Sequence, residues 1–128
     1  HEPIIPLESK DFEQVYEPAE DSFLFMDALE KELPFLRSID PTIVLELGCG
    51  SGCITAFLAP KLKNCAYFAV DINPFAVNAS QRTFAANKVD VELIQTDLLS
   101  GLEPRFSGLV DVLLFNPPYV PTPPEEMT

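Results

Sequence analysis

Polar side chains stand at the carboxyl ends of four apolar, strand-like runs, and their types are suited to binding and chemistry. Glu46 lies near the end of "TIVLEL", Asp71 follows "CAYFAV", Asp97 comes soon after "VDVELIQ", and Asn116 follows "LVDVLLF". Carboxylates accept hydrogen bonds from hydroxyls and amines, and an amide carbonyl accepts from an NH2 group. Because the carboxyl ends of parallel strands meet at one edge of a sheet, these side chains are predicted to line one ligand crevice.

A glycine loop follows the first of these runs. "ELGCGSG" places Gly48, Gly50 and Gly52 between strand and helix, where the backbone can turn sharply and no side chain separates it from a ligand. A GxGxxG pattern would indicate a dinucleotide, but the sixth position here is Cys53 and an acid precedes the loop. A carboxylate at Glu46 would repel a pyrophosphate. It favours a cationic or amino-bearing ligand, such as the methionine part of S-adenosylmethionine.

Two aspartates fit the nucleoside part of such a ligand. Asp71, at the end of the second strand, can accept hydrogen bonds from both hydroxyls of a ribose. Asp97 can accept from an adenine amino group, with Leu98 packed on the ring. Either aspartate alone is interpreted more simply as an exposed cap or turn residue. Together with the glycine loop they indicate an adenosine-containing ligand.

The stretch "FNPPYV" (115–120) predicts a rigid corner after the fourth strand. Proline cannot donate to a sheet ladder and fixes its own φ, so Pro117 and Pro118 must end the strand. They also hold Asn116 extended, because the residue before proline is kept out of the helical region. The corner would present an amide, exposed carbonyls and the aromatic ring of Tyr119.

The elements that position these residues alternate between strand and helix. Residues 17–33 have helical periodicity, with Phe25 and Leu29 on the apolar side, and Pro34 is expected to end or kink that helix. A second helix is predicted over 53–59, and a third begins with Asn73 as its cap and Pro74 at its first position. Near-continuous apolar strands indicate an α/β fold of the Rossmann type. Its parallel sheet would be covered by helices on both faces.

Composition narrows the function classes. The 128 residues form a single domain, with an arm and helix over about 1–37 and a core over 42–128. A net charge of −12 provides no basic surface for a phosphate backbone, so direct nucleic-acid binding is not expected. Three cysteines without a CxxC pair and one histidine favour reduced thiols over a disulfide framework or a metal site. No membrane segment is expected. These features favour the cytoplasm or the nucleus.

The chain resembles class I S-adenosylmethionine-dependent methyltransferases from about Val15 onward. "NPPY" (116–119) resembles the signature of amino-methyltransferases that act on planar or amide nitrogens. "VYEPAEDSF" (15–23) resembles the eukaryotic and archaeal branch of the HemK/PrmC family, which methylates the glutamine of the GGQ motif in class I release factors. That family usually has threonine where Ser22 stands, which retains the hydroxyl. It often has serine where Cys49 stands, in a loop whose backbone matters more than its side chains.

The resemblance implies S-adenosylmethionine as cofactor, S-adenosylhomocysteine as product, and a set of site residues. The cofactor contacts would be Ser22, Glu46, Gly48, Gly50, Gly52, Asp71, Asp97, Leu98 and Asn116. The substrate contacts would be Asn116, Pro117, Pro118, Tyr119 and Val120. The side-chain carbonyl of Asn116 and the backbone carbonyl of Pro117 would accept from the glutamine NH2, and Tyr119 would pack on the flat amide. These three residues are the predicted catalytic group.

The resemblance also implies what surrounds this sheet. The family's seven strands lie in the order 3-2-1-4-5-7-6, and only the first four can be assigned, so we expect strands 5–7 and the C-terminal part to be missing. A release factor would be the protein substrate. Family members work with a small zinc-binding activator subunit, which adds a strand beside the third strand. It would cover "VDVELI" (89–94).

Two other functions remain open at this point. One is methylation of a different nitrogen, on a protein lysine or on adenine N6 of nucleic acid, since adenine and glutamine both offer a planar NH2. The other is a truncated, non-catalytic form that binds cofactor or partner without turnover. Comparing methyl transfer by this chain with methyl transfer by a longer chain would distinguish a catalytic from a non-catalytic form.

Overall fold

The computed structural model describes residues 2–97 and 108–116, and the chain is described over these ranges. Three helices alternate with four strands after an N-terminal arm that contains a 3-10 turn, Asp11–Glu13. The elements in chain order are α1 (Glu20–Ser38), β1 (Ile43–Leu47), α2 (Cys53–Leu58), β2 (Ala66–Asp71), α3 (Pro74–Ala86), β3 (Val91–Gln95) and β4 (Val112–Phe115). The predicted strand–helix alternation is thereby confirmed.

The four strands form one parallel sheet in the order β3-β2-β1-β4. The central strand β1 pairs with β2 in the register Glu46 to Ala69, and with β4 in the register Glu46 to Leu114. The predicted order 3-2-1-4 is confirmed. All four carboxyl ends lie at the same edge, and the order reverses between β1 and β4, where ligands bind in such sheets.

The described helices pack on the same face of the sheet. Val44, Tyr67 and Val112 point from β1, β2 and β4 into a core cluster with α1 and α2. Beside it, Phe84 of α3 packs against Leu93 of β3. A separate apolar cluster forms on the opposite face from Leu45, Leu47 and Val70. The predicted helical cover of that opposite face lies outside the described residues.

The helix α1 continues past Pro34, which is predicted to end or kink it, so the predicted end is wrong. Pro34 lies inside α1, which runs to Ser38. Leu33 and Leu36 are both buried, so continuing the helix buries apolar surface on both sides of the proline. Pro34 itself faces solvent, where water can bond the backbone carbonyl that the missing N–H leaves free. Packing thus outweighs the local preference to stop.

The start of α3 is as predicted. Asn73 is the cap, with its side-chain oxygen accepting from the backbone N–H of Phe75 at 2.9 Å, and Pro74 occupies the first helical position. Over the described part of the chain, the longest helices lack the apolar length needed to cross a bilayer.

Candidate active site

A cavity of about 310 Å³ opens at the carboxyl edge of the sheet. Side chains from the arm, the glycine loop, the end of β2 and the end of β4 line it. Six of the residues predicted from sequence are brought together there: Ser22, Glu46, Gly48, Gly50, Asp71 and Asn116. The crevice expected between strand ends therefore exists, and it lies beside the reversal of strand order.

The glycine loop is fixed to the end of the neighbouring strand. The backbone N–H groups of Gly48 and Cys49 donate to the carbonyl of Val70, at 2.8 and 3.1 Å. Gly52 is the N-cap residue that precedes α2, with φ +84°, and a Cβ there would lie 3.1 Å from the Cα of Ser80. It is buried against α3 and is not among the described residues that line the cavity. Gly52 therefore allows close packing beneath the loop.

Asp71 holds the loop and the start of α3 through its two carboxyl oxygens. Oδ2 accepts from the backbone N–H of Gly50 at 3.0 Å, and Oδ1 accepts from the backbone N–H of Asn73 at 2.9 Å. A carboxylate has about four acceptor positions, so two remain for a ligand. The side chain is thus fixed in position and still able to accept from paired hydroxyls.

Glu46 lies deeper than Asp71 and is only 2% exposed. Its Oε1 accepts from the hydroxyl of Thr55 at 2.6 Å. Burial raises the pKa of Glu46 to about 8, the bond from Thr55 opposes this, and the nearby charge of Asp71 adds to it. Glu46 therefore carries a proton at neutral pH unless a cation is brought beside it.

The cysteines of the loop are not nucleophiles. Burial raises the pKa of Cys53 to about 11 and raises that of Cys49 as well. Both thiols therefore stay neutral at physiological pH. The Ser80 hydroxyl lies near Cys49 Sγ, at 3.2 Å, and donates to the carbonyl of Gly50 at 2.8 Å. Their contribution is to pack the loop against α3.

One wall of the cavity comes from the N-terminal arm and was not foreseen from sequence patterns. It consists of Gln14, Val15, Tyr16 and Pro18. The Tyr16 hydroxyl donates to Asp21 at 2.9 Å, and Ser22 Oγ accepts from the backbone N–H of Ala19 at 3.2 Å. In the sequence, this wall is indicated by the resemblance of "VYEPAEDSF" to a known family, because the arm has no hydrophobic period.

The remaining predicted residues are distributed differently. Asn116 is half-buried at the cavity. Asp97 is exposed at the same edge of the sheet but is not among the described lining residues. Leu98, Pro117, Pro118, Tyr119 and Val120 lie outside the described residues, and their roles stay predictions.

The chemical character of the cavity follows from these positions. Its described lining contains two carboxyls and neither lysine nor arginine. Ile72, 64% exposed, and Phe115, 47% exposed, contribute apolar surface on which a flat ring can pack. The arrangement suits a ligand that combines a positive charge, a pair of hydroxyls and an aromatic ring.

Comparison with known proteins agrees with this chemistry. The model of the methyltransferase small domain matches residues 20–125. "Methyltransferase HEMK2" of Mus musculus is 50% identical over 117 residues, covering 91% of this chain and 54% of that protein. "eRF1 methyltransferase catalytic subunit mtq2" of Schizosaccharomyces pombe is 43% identical over 134 residues, covering 94% of this chain and 57% of that protein. The chain thus spans about half the length of these relatives.

A solved structure shares the fold. The T. thermophilus 16S rRNA N2 G1207 methyltransferase, in complex with AdoMet and guanosine, superposes with a TM-score of 0.66 at 23% identity, over 82% of this chain and 27% of that one. The relatives confirm the resemblance to the HemK/PrmC family inferred from "NPPY" and "VYEPAEDSF". Because the family model extends over most of the sequence, this chain belongs to the methyltransferase small domain family.

Proposed function

We propose that the protein is an S-adenosylmethionine-dependent N-methyltransferase that methylates the side-chain amide of the GGQ glutamine in a class I peptide-chain release factor. The observation that carries this is the cavity itself, which combines Glu46, Asp71 and Asn116 without any described cationic side chain. Further support comes from the relative in Schizosaccharomyces pombe, which is named as the catalytic subunit of an eRF1 methyltransferase.

The donor set fits S-adenosylmethionine. Asp71 has acceptor positions left for ribose hydroxyls, and the exposed Ile72 offers an apolar surface to adenine. The cationic sulfonium and ammonium groups favour the ionised form of Glu46, which burial alone disfavours. Ser22, Gly48 and Gly50 line the cavity and would add contacts to the cofactor. When bound, the cofactor supplies an electrophilic methyl group and leaves as S-adenosylhomocysteine.

The work of this chain is to orient an amide nitrogen, which is a poor nucleophile because its lone pair is delocalised. The side-chain carbonyl of Asn116 would accept from the glutamine NH2, and the backbone carbonyl of Pro117 would accept the second N–H. Two acceptors fix the direction of the nitrogen and favour positive charge developing on it. Tyr119 would pack on the amide plane, while Pro118 and Val120 would border the substrate.

Three arguments favour glutamine over the other methyl acceptors. The net charge of −12 gives little attraction for a nucleic-acid backbone, which argues against adenine N6. The relative's name refers to a release factor. A lysine ammonium, moreover, would have to lose its proton before reaction, and a neutral amide would not.

A partner and a compartment follow from the same proposal. Among the described strands, β3 is at one edge of the sheet, with Val91, Leu93 and Ile94 only half-buried. This edge would accept a strand from a small zinc-binding activator subunit, completing a heterodimer. The proposed site of action is the cytoplasm or the nucleus, where translation factors and reduced thiols are found.

The test is methyl transfer from isotopically labelled S-adenosylmethionine, located by peptide mass spectrometry. Label on the GGQ glutamine, and none on a release factor in which that glutamine is replaced by glutamate, is the expected result. Label on lysine, or on adenine of added nucleic acid, would reject glutamine as the acceptor.

The variant Asn116→Ala separates chemistry from binding. It should lower the rate of methyl transfer by about 10²–10³-fold, the usual cost of one oriented transition-state contact, and weaken cofactor binding much less, because the contacts proposed for Glu46 and Asp71 remain. Equal losses in rate and in affinity would assign Asn116 to structure instead.

A further inference from the structure

The N-terminal arm, residues 2–18, lies along α3 before it reaches the cavity. The Asp11 carboxylate accepts two hydrogen bonds from the Arg82 guanidinium, at 2.7 and 3.3 Å. Val15 is buried against α3. The arm is therefore held at several points to the helix that follows β2, and its last residues form the cavity wall Gln14, Val15, Tyr16 and Pro18.

Asn73 is the residue at which this wall, α3 and the ligand-binding carboxyl meet. Its Nδ2 donates to the backbone carbonyl of Gln14 at 2.8 Å. Its Oδ1 accepts from the backbone N–H of Phe75 at 2.9 Å, which caps α3. Its own backbone N–H donates to Asp71 Oδ1 at 2.9 Å. Asn73 thus joins the arm, 59 residues away in sequence, to the start of α3 and to the neighbouring Asp71 carboxyl.

We propose that Asn73 is a positioning residue that holds the arm wall and the Asp71 carboxyl in one arrangement around the nucleoside part of the cofactor. The inference rests on the proposed function, since it takes Asp71 to bind the ribose. A wall already held at Gln14 loses less conformational freedom when the ligand arrives, so affinity increases. By linkage, bound ligand must stabilise the contact between arm and Asn73 to the same extent.

The variant Asn73→Ser isolates the bond to the arm. Serine is about as good a helix cap as asparagine and keeps the backbone N–H toward Asp71, but it has no amide to donate to Gln14. The dissociation constant for S-adenosylhomocysteine, measured by calorimetry, should increase about three- to tenfold, as expected for one lost hydrogen bond. Helix content by circular dichroism should stay unchanged.

A second readout would not respond to a merely structural role. In the wild-type protein, saturating S-adenosylhomocysteine should slow amide hydrogen exchange at residues 14–16. In Asn73→Ser this protection by ligand should be reduced by the same factor as the affinity.

Asn87→Ser is the matched control, because Asn87 holds the same arm at its other end. Its Nδ2 donates to the carbonyl of Ile4 at 2.7 Å, and its Oδ1 accepts from the N–H of Ile4 at 2.8 Å. The change should speed exchange near Ile4 and leave the dissociation constant within twofold of wild type.

The outcomes separate this inference from the proposed function. Wild-type affinity in Asn73→Ser, or equal weakening in both serine variants, overturns the positioning role. Failure of the wild-type protein itself to bind S-adenosylhomocysteine overturns the proposed function and this inference with it.

Discussion

Glu46 and Asp71 come from neighbouring strands and reach the same cavity, but their surroundings differ. Glu46 pairs in register with Ala69, so Asp71 lies two residues farther along the strand direction, about 6–7 Å nearer the rim. Glu46 is buried with one hydroxyl partner, and Asp71 is partly exposed with two backbone N–H partners. The difference shows that depth along a strand, more than residue type, sets the environment of a carboxyl: Glu46 is shielded from water, whereas Asp71 is partly exposed at the cavity.

The largest expected effect comes from removing the carboxyl of Asp71 while Glu46 is kept. Asp71→Ala removes the acceptors proposed for the ribose hydroxyls, together with the carboxyl oxygens that hold the backbone N–H groups of Gly50 and Asn73. Cofactor binding should weaken by about 2–4 kcal/mol, since hydrogen bonds to a charged group contribute about 1.5–3 kcal/mol each and do not add fully. Isothermal titration with S-adenosylmethionine measures this. An unchanged affinity would mean that the rim carboxyl is only structural.

Asp111→Ala provides a matched control for that loss. Asp111 Oδ2 likewise accepts from two backbone N–H groups, those of Thr42 at 2.6 Å and Ile43 at 3.1 Å. It lies at the amino-terminal end of the strands, away from the cavity. The variant should melt at a lower temperature and bind cofactor within twofold of wild type. If it weakened binding as much as Asp71→Ala, the effect of Asp71 would be one of general stability.

A smaller effect tests the loop that lies between the two carboxyls. Gly52→Ala should destabilise the fold by about 1–3 kcal/mol, because φ is +84° and the new methyl would meet Ser80. Gly108→Ala is the control: φ is +76°, but no described atom lies within 4 Å of the added Cβ. Chemical denaturation of both variants gives the difference. Equal losses would show that backbone conformation alone requires the glycine, without the close packing.

The smallest effect, taken over one pH unit, is a pH dependence that belongs to Glu46. Its pKa is about 8 in the folded protein and near 4.5 unfolded, so the folded state binds the extra proton between these values. The contribution to stability is complete below about pH 4.5 and is lost as pH rises toward 8, at up to about 1.4 kcal/mol per pH unit. Glu46→Gln should flatten the melting temperature over this range. A wild-type profile that matched the variant's would indicate an ionised Glu46.

The strand cores and the cavity edge were predictable because four apolar runs and their polar endings are local features. The boundaries of the strands are harder to predict from the sequence. Val89 was assigned to the third strand, but its N–H donates to the carbonyl of Phe84, which closes the turn after α3 and delays β3 to Val91. The fourth strand starts at Val112 rather than 109, since Asp111 uses its side chain on the ends of β1.

Other features depend on contacts between residues far apart in sequence. Asn73 was predicted as a cap from its neighbours, which is confirmed, but its bond to the carbonyl of Gln14 joins positions 59 residues apart. The arm has no hydrophobic periodicity from which its position as a cavity wall could be predicted. Asp97 was grouped with Asp71 because both follow strands. Asp97 lies at the same edge of the sheet, and its contact with the cofactor stays a prediction.

The position of β1 between β2 and β4 also determines when the site can exist during folding. Ile43 pairs with Ala66, 23 positions later, and Val44 pairs with Val112, 68 positions later. Closing the longer loop costs more entropy and slows the pairing of β1 with β4 relative to the nearer strand. The part of the site that carries Glu46 and Asp71 should therefore assemble first. The part that carries Asn116 should follow, so a nascent chain would form the edge proposed to bind the cofactor before the edge proposed for catalysis.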